Sequence, residues 1–420
     1  MSILSELLTS VFQRYAKGNP AAAQTDRTMS VLVADMLSQR SEINGMVTAR
    51  EILDRFSAMP DDAKRAFFGY LADALDIDAD AMAKAVAAFG TSPDVGTYGA
   101  LQIAAEPPRQ ELVRRLNQSP GATQALVGMR ADLLRLVRRD DPVARIDLDF
   151  RHLFASWFNR GFLVLRPVNW DSSARLLEKI IAYEAVHQIR SWDDLRRRIQ
   201  PEDRRCFGFF HPSMPEEPLI FVEVALTTGI PGNIQALLAE DRAPVSAQDA
   251  NTAVFYSISN CQAGLAGVSF GNFLIKQVTA DLAAELPNLK TFVTLSPVPK
   301  LGAWIRQKGL QDAKGENLRQ ATAAYLIGSK LPCGLPSDPV ARFHLSNGAE
   351  LHAIHLDADL SEKGREQSFG VMVNYLYDRA RIAVNHERFA NNGTVAAAPA
   401  LVALTEKAQP KEICVAQSAP

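Results

Sequence analysis

Cysteine is scarce in this chain of 420 residues: only Cys206, Cys261, Cys333 and Cys414 occur, and no two of them show CxxC spacing. That excludes a disulfide scaffold and gives no support to a structural zinc, so a reducing compartment is expected. Charge of one sign is lacking too. Lys+Arg 45 against Asp+Glu 47 leaves a formal charge of −2, so no bulk field attracts nucleic acid or an anionic lipid surface. Long apolar runs are missing: Val395 to Leu404 is interrupted by Pro399 and falls well short of the roughly 20 residues a membrane span needs. The first residues, with Glu6 early and no basic stretch ahead of an apolar core, do not read as a signal peptide, and Ser418-Ala419-Pro420 matches no targeting address. A cytoplasmic protein without nucleic-acid or membrane partners is the expectation.

What remains is the composition of a soluble globular protein, 47% hydrophobic and 22% charged, long enough for two or three domains. Up to about Asp141 the apolar period is helical. Leu126, Met129, Leu133, Leu136 and Val137 share one helix face, while Arg130, Arg135, Arg138 and Arg139 share the other, as a solvated or a ligand-binding face. Prolines punctuate the segment at helix-length intervals, and no strand or ligand-type cluster is evident in it. Residues 1–141 are therefore expected to be a helical domain serving assembly and stability. After Pro142 the pattern changes. Leu219 to Leu226, Ala253 to Ile258 and Thr291 to Leu295 read as buried strands, and Asn272 to Leu286 as a helix stopped by Pro287. Residues 142–390 are expected to form a mixed α+β domain, and 391–420, rich in Ala and Pro, a loose tail.

Three local features could carry chemistry. Strand 253–258 runs into Asn260-Cys-Gln-Ala-Gly264-Leu-Ala-Gly267-Val-Ser-Phe-Gly271 and then a helix, which can be a plain turn or a phosphate cradle. The spacing is neither G-x-G-x-x-G nor a Walker A loop. Leu295-Ser296-Pro297-Val298-Pro299 ends a strand rigidly and would present Ser296 at its C-terminal edge, where α/β sheets hold ligands, although most Ser-Pro turns only turn the chain. His344 lies between Phe343 and Leu345 in a short helix opened by Pro339 and stopped by Gly348, a setting that equally suits a core histidine. His352 and His355 fall at odd spacing in a strand, hence on opposite faces, and no His/Cys cluster has metal-ligand spacing, so no metal is expected.

Taken together, the ordered blocks Ser156-Trp-Phe-Asn-Arg-Gly-Phe162, Asn233-Ile-Gln-Ala236, Gly264-Leu-Ala-Gly-Val268, Leu295-Ser-Pro-Val-Pro299, Phe343-His-Leu-Ser-Asn-Gly348 and Met372-Val-Asn-Tyr375 resemble the malonyl-CoA decarboxylase family, from about Arg145 to Tyr377. The resemblance implies an N-terminal helical domain followed by a catalytic domain of the GCN5-related N-acetyltransferase (GNAT) fold. It implies conversion of malonyl-CoA to acetyl-CoA and CO2 with no cofactor, because the thioester is its own electron sink. By the same resemblance Ser296 and His344 carry the chemistry. CoA would bind along Ala266, Gly267, Val268, Ser269, Phe270, Gly271 and Asn272, with Ser296 and His344 at the acyl end, in a bacterial-type homo-oligomer, dimer or tetramer. The family has a glutamate between the second and third glycines where this chain has Ser269, which leaves the group that orients His344 unassigned. A GNAT acyltransferase and a non-catalytic acyl-CoA sensor are the alternatives.

Overall fold

A computed structural model describes residues 27–38, 42–268 and 274–407, which divide into two compact units. The first comprises residues up to 164 together with 210–218 and 262–270; the second holds the rest. The division expected at 142 thus falls later, because the helix Ile146–Trp157 buries Ile146, Phe150, Leu153 and Phe154 within the first unit.

The first unit is helical. Its helices are α1 (Met29–Ser38), α2 (Glu42–Ala58), α3 (Asp61–Ala74), α4 (Ala79–Thr91), α5 (Val95–Ala105), α6 (Pro108–Leu116), α7 (Ala122–Leu136) and α8 (Ile146–Trp157). Local chemistry sets their starts. Asp78 accepts from the amides of Asp80 and Ala81, Asp94 and Thr97 close a capping box, and Pro108 occupies the first turn of α6. Six of these helices pack an apolar stripe inward, but α4 and α5 bury nothing. Val95 is 90% exposed and Ile103 79%, with Val86 and Tyr98 half-exposed beside them.

Arg130 corrects the expected polar face of α7. It is 1% exposed, donates from Nε to Asp147 at 2.7 Å and from Nη1 to the Gly264 carbonyl at 2.6 Å, so its charge is buried but paired. Gly264 is likewise a packing glycine and not part of a ligand turn. A Cβ there would collide with the Val127 carbonyl oxygen, so only hydrogen lets this turn seat against α7.

The sheet runs in the order β1 (Val164–Pro167), β2 (Arg204–His211), β3 (Met214–Thr227), β4 (Thr252–Asn260), β5 (Thr291–Thr294), β8 (Met372–Leu376), β6 (Ser296–Pro297), with β7 (Glu350–His355) also paired to β8. β3 is buried from Pro218 to Leu226, as its continuous apolar run requires. It pairs antiparallel with β4 through a bulge at Glu223 and Val224. β4 and β5 pair in parallel only over Thr252–Phe255 and Thr291–Thr294. The chain then crosses at Leu295, and Ser296 and Pro297 pair instead with Val373 and Met372 of β8. Beyond Phe255 β4 keeps β3 on one side and, among the described residues, no strand on the other. An α+β chain, helical first and mixed-sheet after, is therefore what the structure has.

Residues 391–407 differ from the loose tail expected. Ala396 and Ala398 bond the backbone of Leu351, and Pro399–Lys407 is a helix that buries Leu401. Proline at a helix start is the reason the run could fold after all: its missing N–H would be unpaired there anyway.

Candidate active site

Where β4 and β5 part, the second unit contains a cavity of about 250 Å³. Phe255, Tyr256, Ile258 and Asn260 line it from β4, Ser296 and Pro297 from β6, Val186 from a loop, and Pro339, Val340, Phe343 and His344 from the helix Pro339–Ser346. Buried Asp338 caps that helix, accepting from the amides of Val340 and Ala341, and Gly348 ends it at φ +85. Helix and strand end thus bring together the two residues named from the sequence, 48 positions apart. Ser296 Oγ lies 3.1 Å from His344 Nε2, and both side chains are buried.

A hydrogen-bonded chain extends from this pair in both directions. His344 Nδ1 is 2.8 Å from the hydroxyl of Tyr377, and the His344 ring stacks on Tyr375 with centroids 4.5 Å apart. Ser296 Oγ donates to Thr294 Oγ1 at 2.8 Å, which also accepts from the Tyr375 amide at 3.1 Å. The donor inventory fixes the direction. Tyr377 is buried, and His344 Nδ1 is its hydroxyl's hydrogen-bond partner among the described residues, so the hydroxyl donates to Nδ1. The ring proton then sits on Nε2, facing Ser296. Burial pulls the His344 pKa down to about 3, so the imidazole is neutral at pH 7. Burial also holds the Tyr377 hydroxyl well above its usual range, so it stays a donor.

Tyr377, Tyr375 and Thr294 escaped the sequence reading. The signal was period 2: Thr294 with Ser296, and Tyr375 with Tyr377, each put two hydroxyls on one face at a strand end. Tyr377 supplies the contact that orients His344, the role left unassigned beside Ser269. Ser269, Phe270, Gly271 and Asn272 lie outside the described residues. Ala266 and Gly267 instead line a cavity of the first unit, and Val268 is buried there. Gly267 has φ +72, a backbone that favours glycine, with open space above its Cα apart from the Arg151 guanidinium 3.9 Å from an added Cβ. Among the described residues no group of three His, Cys, Asp or Glu side chains could hold a metal ion.

A family model described as the malonyl-CoA decarboxylase C-terminal domain matches residues 161–318 and 303–414, and one for the N-terminal domain of the same enzyme matches 75–158. The chain belongs to the malonyl-CoA decarboxylase family. Two crystal structures of malonyl-CoA decarboxylases bear this out along nearly their whole length. That from Agrobacterium vitis is 48% identical with a TM-score of 0.85, covering 90% of this chain and 99% of its own. That from Rhodopseudomonas palustris is 46% identical with a TM-score of 0.84, covering 89% and 98%. The mitochondrial malonyl-CoA decarboxylase of Anser anser anser is 35% identical over 324 residues, 64% of this chain and 64% of its own length. For the Rattus norvegicus protein the figures are 34%, 363 residues, 74% and 73%.

Proposed function

We propose that the chain is a malonyl-CoA decarboxylase, releasing CO2 and acetyl-CoA, with Ser296 and His344 as its catalytic pair. The observation that carries this reading is the neutral, directed chain Tyr377–His344–Ser296 at the wall of a mostly apolar cavity. Among the described residues no Lys or Arg lines that cavity. A carboxylate that enters gives up its hydration without meeting a counter-ion, whereas departing CO2 is neutral and loses nothing by being there. The C–C bond to the carboxyl breaks and its electron pair passes into the thioester, forming an enolate. C2 is then protonated by the Ser296 hydroxyl while the neutral His344 ring donates its Nε2–H to the Oγ left behind, and a proton from solvent restores the hydroxyl, so one proton is consumed per CO2. Tyr377 acts through His344, holding the tautomer, and is a positioning residue. Because the thioester accepts the electron pair, the reaction asks for no resident cofactor or metal.

The backbone of β4 past Phe255, paired by β3 alone, supplies hydrogen-bonding groups to an extended amide-bearing arm such as that of CoA. We place the chain in the cytoplasm, acting in fatty acid metabolism, as a homo-oligomer. Cys206, Cys261 and Cys333 are free thiols, no described helix is long and apolar enough to cross a membrane, and the α4–α5 hairpin presents unburied Val95, Tyr98 and Ile103. Purified protein given malonyl-CoA without any acyl acceptor should form acetyl-CoA and CO2 in equal amounts. Turnover that appears only when an amine is added points to an acyltransferase; binding with no turnover points to a sensor.

A further inference from the structure

One wall of the catalytic cavity comes from neither sheet nor helix. Val186 stands in the loop between the helices Ala174–Tyr183 and Trp192–Ile199. A loop has no ladder of its own to satisfy its backbone, and here side chains hold it group by group. The Glu184 carboxylate accepts from the amides of Val186 and His187, both at 2.8 Å, and from the hydroxyls of Ser257 and Ser259 on β4, at 2.7 and 3.3 Å. Ser259 Oγ in turn accepts from the Ala185 amide at 3.2 Å. Lys363, on the helix Glu362–Ser368, donates to the carbonyl of Ala185 and, at 3.5 Å, to that of Val186. Buried Arg198 donates to the carbonyls of His187 at 2.7 Å and Gln188 at 3.1 Å. Every residue from Ala185 to Gln188 therefore has a backbone group bonded by a side chain. A loop clamped this way presents a fixed surface, and what it presents to the cavity is Val186, whose β-branched side chain has little rotamer freedom.

We infer that Val186 is the specificity wall of this cavity: it fills the space beside C2 of the acyl group, so that unbranched malonyl thioesters react and C2-alkylated ones are refused. The cavity, at about 250 Å³, is smaller than the roughly 300–1,000 Å³ usual for a small-molecule pocket, and Val186 shares it with Ser296 and His344. A substituent on C2 therefore has to find room next to the reacting carbon, among walls that do not give way. Nothing in the chemistry itself refuses a methyl group there, since the thioester still accepts the electron pair, so the discrimination is steric. Glu184 does not reach the substrate in this account; it acts through the loop and is a positioning residue. The inference rests on the reading that a malonyl thioester loses CO2 at Ser296 and His344, and it adds which malonyl thioesters the site accepts.

Release of CO2 by the full chain from malonyl-CoA and from methylmalonyl-CoA tests it. Val186→Ala should raise kcat/KM for methylmalonyl-CoA relative to malonyl-CoA about tenfold, the lower end of what one methyl group decides in an apolar pocket. Glu184→Gln keeps the shape but sets an amide N–H where the loop amides and serine hydroxyls need an acceptor. It should move the same ratio in the same direction, by about threefold. Partial unfolding lowers both rates together and leaves the ratio alone, so the ratio separates a specificity role from a merely structural one. An unchanged ratio in Val186→Ala, with malonyl-CoA still turned over, overturns the inference and leaves the decarboxylase reading standing. An equal fall of kcat/KM with both substrates also overturns it, because Val186 then touches the CoA arm that they share. A shift with Val186→Ala alone overturns the part given to Glu184. If the wild-type protein releases CO2 from neither thioester, the decarboxylase reading fails, and calorimetry decides the wall by itself. Methylmalonyl-CoA gaining affinity relative to malonyl-CoA in Val186→Ala then supports it, and an unchanged ratio of affinities overturns it.

Discussion

The cavity beside Ser296 is walled in part by buried neutral groups that hydrogen-bond to one another, whereas the cavity of the helical unit ends on the exposed guanidiniums of Arg139 and Arg151, which have no ion-pair partner among the described residues. The difference is one of task. A cation in the first would stabilise the malonyl carboxylate and deepen the ground state from which CO2 must leave. In the second, the guanidiniums stay hydrated at the surface and need no buried partner to offset desolvation.

The sharpest way to break this contrast is to remove the reacting groups. Ser296→Ala and His344→Gln should each lower kcat about 10²- to 10⁴-fold with near wild-type circular dichroism. Near-normal turnover by either variant takes that residue out of the mechanism. Next in size is Tyr377→Phe, expected to cost about ten- to a hundredfold in kcat with KM little changed, because His344 loses the donor that fixes its tautomer. Unchanged kcat would reduce the tyrosine to packing. Two glycines then separate structure from recognition. Gly264→Ala must push the turn off Val127 and should lower stability by about 1–3 kcal/mol, read as a lower melting temperature. Gly267→Val, strained at φ +72 and set beside Arg151, should weaken CoA, acetyl-CoA and malonyl-CoA alike. If Gly267→Val spares CoA binding and loses only turnover, the turn belongs to the reacting centre.

The smallest effect is in the pH dependence of stability. Buried His344 and half-buried His187 are held down to about 3 and about 4 by desolvation, below the 6.5 of an exposed histidine. Their depressed values mean that the unfolded chain binds protons the folded chain refuses. Their contribution is complete above pH 6.5 and declines as pH falls toward 3. Buried Glu223, 3.5 Å from Arg198, is pushed by burial up to about 8 from 4.5. It acts oppositely: its contribution is complete below pH 4.5 and is lost as pH rises toward 8. Melting temperatures between pH 4 and 9 should therefore fall at both ends. His344→Gln should flatten the acid side and Glu223→Gln the alkaline side; unaltered slopes would show that these groups do not set the profile.

Period and punctuation in the sequence were enough to identify the helical first part, the strands around Leu219–Leu226, Ala253–Ile258 and Thr291–Thr294, and the short helix bearing His344. Each of these is a local choice, made by side chains a few residues apart. The blocks around Ser296 and His344 named both residues, and contact between them needed the crossing of the chain at Leu295. The sequence could not show that β4 and β5 separate after Phe255, since that depends on Ser296 and Pro297 finding β8 some 75 residues later. Nor could it tell that Arg130 is buried and Arg139 free, because that is decided by where Asp147 and the Gly264 carbonyl come to lie. The turn glycines look alike in the chain, yet Gly264 answers to Val127 and Gly267 to its own backbone angle. Local pattern fixes elements because hydrogen bonds and apolar faces repeat along the chain. A cavity and the pairing of its charges are made by residues distant in sequence, so only the tertiary structure decides them.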